Sequence, residues 1–279
     1  MDCSTANSCV LYIAHVAGVT QLRDVVYVVC HQSSAIRRRY SATTHRLLAD
    51  IVVKGLRDPC DIAACELTSQ LYVVDSTECV WRVSSDGAVV QRWLTYLSGT
   101  FKPLALSVTS SRLLVTSCSG RQLRQFDAAG GGKPRRVRLP DYMYPSHAVE
   151  SPTATFIVSH YNPQLYQDQV SEVSTEGQVL RQFSGSLCCP KHIAVDRQGN
   201  IFVAVSANRR ILLLNAQLAL RRVIIDEHQL SYRRSERLCY TEDRQPVRLC
   251  YVVQSGQLLV GCNDGSVACF MCFGDIHTV

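Results

Sequence analysis

A proline-led phrase recurs along this chain, and its period constrains the fold more than any other feature. "PKHIAVDRQGNIFVAVSANRRILLLN" begins at Pro190, and versions of it begin at Pro59, Pro103 and Pro145, with starts 44, 42 and 45 residues apart. Each copy reads as a proline, a short apolar run, a turn, a run ending in apolar-apolar-Val or a near variant, a polar turn and then two further runs. A degenerate first copy starts near His15, with "VVYVV" at 25–29 in the second-run slot. A last copy has "QLLVG" at 257–261 in that slot, preceded by two versions of one phrase, "ERLCY" at 236–240 and "VRLCY" at 247–251. Either version can serve as the innermost strand.

Six copies with four short Val-, Ile-, Leu- and Tyr-rich runs apiece, separated by Gly, Asn, Asp and Ser turns, specify an all-β chain. A repeat of this length built from four strands is the sequence signature of a six-bladed β-propeller of four-stranded antiparallel blades. One blade cannot bury both of its faces, and six packed radially can. The last copy ends soon after its third run, "SVACF" at 266–270, while "CVLYIA" at 9–14 is a surplus strand ahead of the first copy. The expectation is a single domain over residues 1–279 in which residues 9–14 complete the sixth blade. Deleting residues 1–14 should then lower the melting temperature sharply.

Composition narrows the setting. No apolar stretch reaches about 18 residues, which argues against a membrane span. The start has no basic region ahead of its apolar part, and there is no Asn-x-Ser/Thr sequon, so a cytoplasmic monomer is expected. The 14 cysteines are scattered, with one Cys-x-x-Cys at Cys269 and Cys272, and read as small buried hydrophobes in a reduced core. The net charge of +6 conceals a bias: of 29 basic residues, four are lysine and 25 arginine. Arginine suits bidentate recognition of phosphates and carboxylates. A solvated basic surface is the plainer account of the same bias.

Pro190, Ile193, Ala194, Val195, Asp196, Gly199, Asn200, Ile201, Val203, Ala204, Asn208, Arg209 and Ile211 resemble an NHL repeat. Val205 departs from it, since the family places Asp there; Asp75 in "YVVD" keeps that Asp in the second copy. By period the resemblance spans roughly residues 9–270. It implies the six-bladed fold of the propellers found in tripartite-motif ubiquitin-ligase relatives, which bind RNA stem-loops or protein partners through a positive face. Such propellers often follow RING, B-box and coiled-coil segments, none of which is legible here; the resemblance thus implies one part of a larger multidomain protein, with no ligase chemistry expected of this chain.

Two residues after each repeat start stand Ala17, Asp61, Ala105, His147, His192 and Arg237 or Arg248, equivalent positions that should form a ring near the axis. A relative of the fold, the peptidylglycine amidating lyase type, holds a catalytic zinc with histidines from several blades. Asp61, His147 and His192 could make such a metal set, giving a metal-dependent lyase or hydrolase as the alternative function. The plainer account has the ring nitrogens bonded to neighbouring backbone, with no cofactor. "AAGGGKP" at 128–134 lacks the Ser/Thr and helix of a phosphate loop and reads as a turn, and no Gly-x-Ser-x-Gly elbow nominates a nucleophile. The favoured function is a non-enzymatic scaffold that binds a protein or structured RNA through a basic loop face. Its candidate residues are Arg37, Arg82, Arg121, Arg124, Arg209 and Arg210, with Tyr161 as an aromatic for stacking.

Overall fold

A computed structural model describes residues 15–36, 39–41, 46–94, 101–109, 111–130, 133–183, 185–226 and 244–271. It is a six-bladed β-propeller, with every strand pairing antiparallel. The first blade holds β1 (Val16–Leu22), β2 (Val25–Cys30), β4 (Arg39–Ser41) and β5 (Leu47–Leu48), flanked by a two-stranded pair of β3 (Ala35–Ile36) and β6 (Ile51–Val52). The second holds β7 (Pro59–Cys65), β8 (Gln70–Asp75), β9 (Val80–Ser84) and β10 (Val90–Leu94). The third holds β11 (Ala105–Thr109), β12 (Arg112–Ser117), β13 (Gln122–Asp127) and β14 (Arg135–Arg138). The fourth holds β15 (Tyr144–Glu150), β16 (Phe156–Asn162), β17 (Gln167–Val173) and β18 (Val179–Gln182). The fifth holds β19 (Pro190–Val195), β20 (Ile201–Val205), β21 (Arg210–Leu214) and β22 (Leu220–Ile225).

The sixth blade has three strands among the described residues, β23 (Pro246–Val252), β24 (Gln257–Cys262) and β25 (Val267–Met271). "VRLCY" at 247–251 is therefore the innermost strand of this blade. The other version, at 236–240, and the closing strand expected at 9–14 lie outside the described residues. Innermost strands touch in the order β1, β7, β11, β15, β19, β23 and back to β1, which closes the ring.

The core is divided into six seams, one between each pair of neighbouring blades. Tyr27 and Val29 of β2 pack into the seam with the second blade, against Ile62, Leu71 and Val73. Their neighbours Val26 and Val28 point the other way, against Val252 and Leu259 of the sixth. The same split recurs in β20, where Ile201 and Val203 face the fourth blade and Phe202 and Ala204 the sixth. A strand buried on both faces has no polar side to show, so second strands read as continuous apolar runs rather than as alternation. Buried Cys30, Cys65, Cys79 and Cys262 fill seams as small apolar side chains, and no disulfide joins any two of the described cysteines.

Asp75, the residue that the repeat keeps in the second copy, shows what that position does. Its carboxylate accepts from Thr77 N and Cys79 N in the turn after β8, from Trp81 Nε1 at 2.8 Å, and from Arg57 N in the segment that leads into the blade. One buried side chain thus ties the turn to the incoming chain. Val205 stands at the same register, opposite Pro190 as Asp75 is opposite Pro59, and is buried in the seam between the fourth and fifth blades.

Candidate functional site

The innermost strands share an irregularity that aims their side chains. In β1, β7, β19 and β23 the register shifts after the first residue and in β15 after the second, leaving Ala17, Cys60, Lys191, Val247 and Ser146 unpaired in the ladders. A bulge bends the strand and re-aims the next side chain. That next residue is Gly18, Asp61, His147, His192 or Arg248. Register therefore makes Gly18, rather than Ala17, the first blade's member of the ring. The shift matters because a Cβ on Gly18 would lie 2.6 Å from Ile62 N, so only glycine fits.

Ring residues fasten each blade to the next. Asp61 Oδ2 accepts from Leu106 N at 2.9 Å, His147 Nδ1 from Ile193 N at 3.2 Å, and His192 Nδ1 from Leu249 N at 3.4 Å. In the sixth blade Arg248 donates instead, through Nε to Ala17 O and through Nη2 to Cys60 O. These bonds fix the histidine tautomers: both imidazoles accept at Nδ1 and are protonated at Nε2. His147 Nε2 donates to Leu106 O at 3.2 Å, so both of its nitrogens are engaged with backbone.

Three contacts cross the axis or stack beside it. Asp61 Oδ2 lies 3.7 Å from His192 Nε2, although their blades, the second and fifth, face each other across the ring. Arg248 Nε lies 3.9 Å from Asp61 Oδ1. The His147 and His192 rings stack with centroids 3.6 Å apart at 22°. Asp61, His147 and His192 form a buried bolt at the level of the bulges. Beyond it the strands enclose a pit of 640 Å³, bounded by His147 and His192 at one end and reaching Glu66, Arg197 and Gln254 in the turns between first and second strands at the other.

Charge in the bolt is confined to Asp61 and Arg248. Burial alone would push the Asp61 carboxyl up, but His192, Arg248 and His147 beside it hold it below its usual value. Burial drives the His147 imidazole well below 6.5, and His192 adds to that; burial lowers His192 as well, against the opposing pull of Asp61. Both histidines are neutral at pH 7.

Donor atoms of Asp61, His147 and His192 all lie within 4.8 Å of one another, the one such grouping of potential metal ligands among the described residues. The ring geometry does not suit a metal. Near-parallel stacked imidazoles direct their in-plane lone pairs side by side, whereas a tetrahedral ion needs them to converge. The Arg248 guanidinium already supplies a cation beside the carboxylate.

The arginines proposed for a loop face scatter. Arg121 and Arg209 close the turns between second and third strands in the third and fifth blades, with φ of 46° and 52°. The equivalent residues elsewhere are Glu78, Tyr166 and Gly265, so arginine recurs in two of the five blades where the turn is described. Arg121 donates to Tyr144 Oη at 2.7 Å and lies over that ring. Arg82 lies within β9, with Nη1 3.5 Å from Ala129 O. Arg124 is only 5% exposed, its guanidinium 3.9 Å over the Phe101 ring, and is no surface group. Arg210 and Tyr161 are exposed, and Arg37 lies outside the described residues. Many other arginines (Arg92, Arg135, Arg136, Arg138, Arg181, Arg221, Arg222) lie on the outermost strands, where charge discourages edge-to-edge pairing. Sequence reasoning passed over Leu165 and Tyr166, which sit in the turn between β16 and β17; a Leu-Tyr pair directly after Asn-Pro-Gln was the available signal.

No family model matches the sequence, and no curated protein matches it. The fold is similar to several solved structures. A chain in a nidogen/laminin complex superposes with a TM-score of 0.65 at 14% identity, covering 78% of this chain and 82% of that one. A catalytically inactive virginiamycin B lyase from Staphylococcus aureus with quinupristin gives 0.63 at 11% identity, covering 91% and 79%. The WD40 β-propeller domain of Doa1 gives 0.62 at 13% identity, covering 93% of each chain. At these identities the likeness establishes the propeller, a fold compatible with a protein-interaction scaffold, and nothing narrower.

Proposed function

We propose that this chain is a non-enzymatic interaction scaffold, presenting a protein partner or a structured RNA with the loops on the face where the innermost strands begin. The observation that carries this reading is the bolt. Most of its polar atoms are spent on joining blades: His147 bonds backbone at both nitrogens, His192 accepts from Leu249 N at Nδ1 and turns Nε2 toward Asp61 at 3.7 Å, Asp61 is matched by Arg248, and the imidazoles are stacked rather than convergent. The residues best placed for chemistry thus have structural work, and the loops are left to supply recognition. The presence of a protein complex and a WD40 domain among chains of similar fold is consistent with that use.

Binding to a structured RNA pool across a salt series separates the partner classes. Specific binding that survives moderate salt and weakens in an Arg121→Ala/Arg209→Ala variant supports an RNA-reading face; binding that collapses with salt reports only net charge. A second reading, a metal-dependent lyase or hydrolase, draws on the three donors lying within 4.8 Å and on the lyase of similar fold. It requires stoichiometric metal in the purified protein, lost in a His147→Ala/His192→Ala variant. Metal-free protein with full partner binding would retire it.

A further inference from the structure

We propose that the turn joining β16 to β17 is a docking knob for an acidic protein segment that also carries apolar side chains. The proposal rests on the scaffold function above and names the partner class.

The hairpin is unlike its counterparts. β16 and β17 have seven residues each, against three to six for the second and third strands of the other blades. Their pairing continues through Tyr161 with Asp168 to Asn162 with Gln167. At its tip Tyr166 is 85% exposed and Leu165 56%, with Tyr161 at 39% one strand-end earlier. Tyr161 and Tyr166 are the only aromatics among the exposed large hydrophobic residues described. The tip is held in place: Asn162 Oδ1 accepts from Gln164 N and Leu165 N. Large apolar side chains fixed on a rigid turn cost little ordering entropy on binding.

Charge decides the partner. Tyr166 occupies the turn position that Arg121 and Arg209 occupy in the two flanking blades, so arginine stands on either side of the aromatic. Tyr144, which pairs with Tyr161 across β15 and β16, joins Arg121 to the same surface. Exposed Lys191 adds a third cation at the start of β19. Two acids lie nearby, Asp141 within ion-pair distance of Arg121 and Arg138, and Asp168, which accepts from Cys189 N, so the basic residues Arg121, Arg138, Lys191 and Arg209 outnumber them. Tyr and Arg around an apolar centre is the composition of protein interface hot spots. Leu165 favours a protein over RNA, because an aliphatic side chain offers no face for a base to stack on.

The test is to pan a displayed random-peptide library on the full chain and measure enriched peptides by fluorescence anisotropy. Peptides that combine Asp or Glu with aromatic or aliphatic residues are expected. Their Kd should rise at least about tenfold in Leu165→Ser/Tyr166→Ser, with the melting temperature unchanged because both residues are exposed. Acidic peptides that bind the variant equally well would overturn the knob while leaving the scaffold function standing. No enriched peptide at all, with a structured RNA pool binding in a Tyr166-dependent way, would overturn the protein partner. Neither peptide nor RNA binding would overturn the knob and the scaffold function together.

Discussion

Asp61 and His192 come from blades that face each other across the ring, yet their side chains approach to 3.7 Å. At that separation the contact is electrostatic rather than a hydrogen bond, and Arg248 provides the balancing charge at 3.9 Å. Arg248→Met should destabilise the fold by about 3–5 kcal/mol, because it leaves a buried carboxylate uncompensated. Asp61→Asn/Arg248→Met should cost less than the sum of the single changes by at least about 1 kcal/mol. Urea unfolding of the four proteins measures the coupling; strict additivity would show that Asp61 and Arg248 act independently.

Stability should fall on mild acidification. His147, His160 and His192 are buried and depressed below 6.5, His160 to about 4. Unfolded histidines protonate first as pH drops, so protons favour the unfolded chain. The contribution of these groups is fully present above about pH 6.5 and is lost as pH falls toward their folded values, by about 1.4 kcal/mol per pH unit for each histidine. Denaturant melts between pH 7.5 and 5 should show this slope, and His160→Gln should reduce it by one proton.

Gly177 should tolerate no side chain. Its φ is +92°, and a Cβ would fall 2.0 Å from Arg138 O in the neighbouring blade. Gly199, with φ +81°, would place its Cβ at an easier 3.3 Å from Ala216 Cβ. Gly199→Ala should cost about 1–2 kcal/mol from backbone strain alone, and Gly177→Ala clearly more. Thermal melts of the two variants rank them.

Restoring the repeat's aspartate at position 205 should destabilise the protein. Asp75 is satisfied by Trp81 Nε1 and four groups of the adjoining chain. By register Leu212 stands where Trp81 does, so Val205→Asp would bury a carboxylate without its indole donor. A loss of about 3 kcal/mol or more is expected in denaturant unfolding. An unchanged midpoint would mean that the fifth blade supplies another donor.

Much of the architecture was legible because a second strand buried on both faces leaves a continuous apolar run, as in "LYVVD" and "IFVAV". Proline starts marked the innermost strands to within about two residues, a usual margin for element ends. The axial residues were legible as equivalent positions, but not their contact, since Asp61 and His192 meet only when the ring closes. The one-residue slip from Ala17 to Gly18 follows from a bulge, which sequence periodicity does not reveal. Arg124 was misplaced for a chemical reason: its charge reads as surface, whereas its guanidinium lies on Phe101. Tyr166 is not singled out in the sequence because Tyr161, in the same stretch, offers the same signal of an exposed aromatic.

The contact between opposite blades has a mechanical consequence. Seam contacts act in series around the circumference, so a small slip at each would let the whole circle dilate. A link along the diameter opposes that breathing motion directly, as a spoke does in a wheel. Asp61 and His192, with Arg248 bracing two blades beside them, set the width of the centre and so the size of anything the pit can admit.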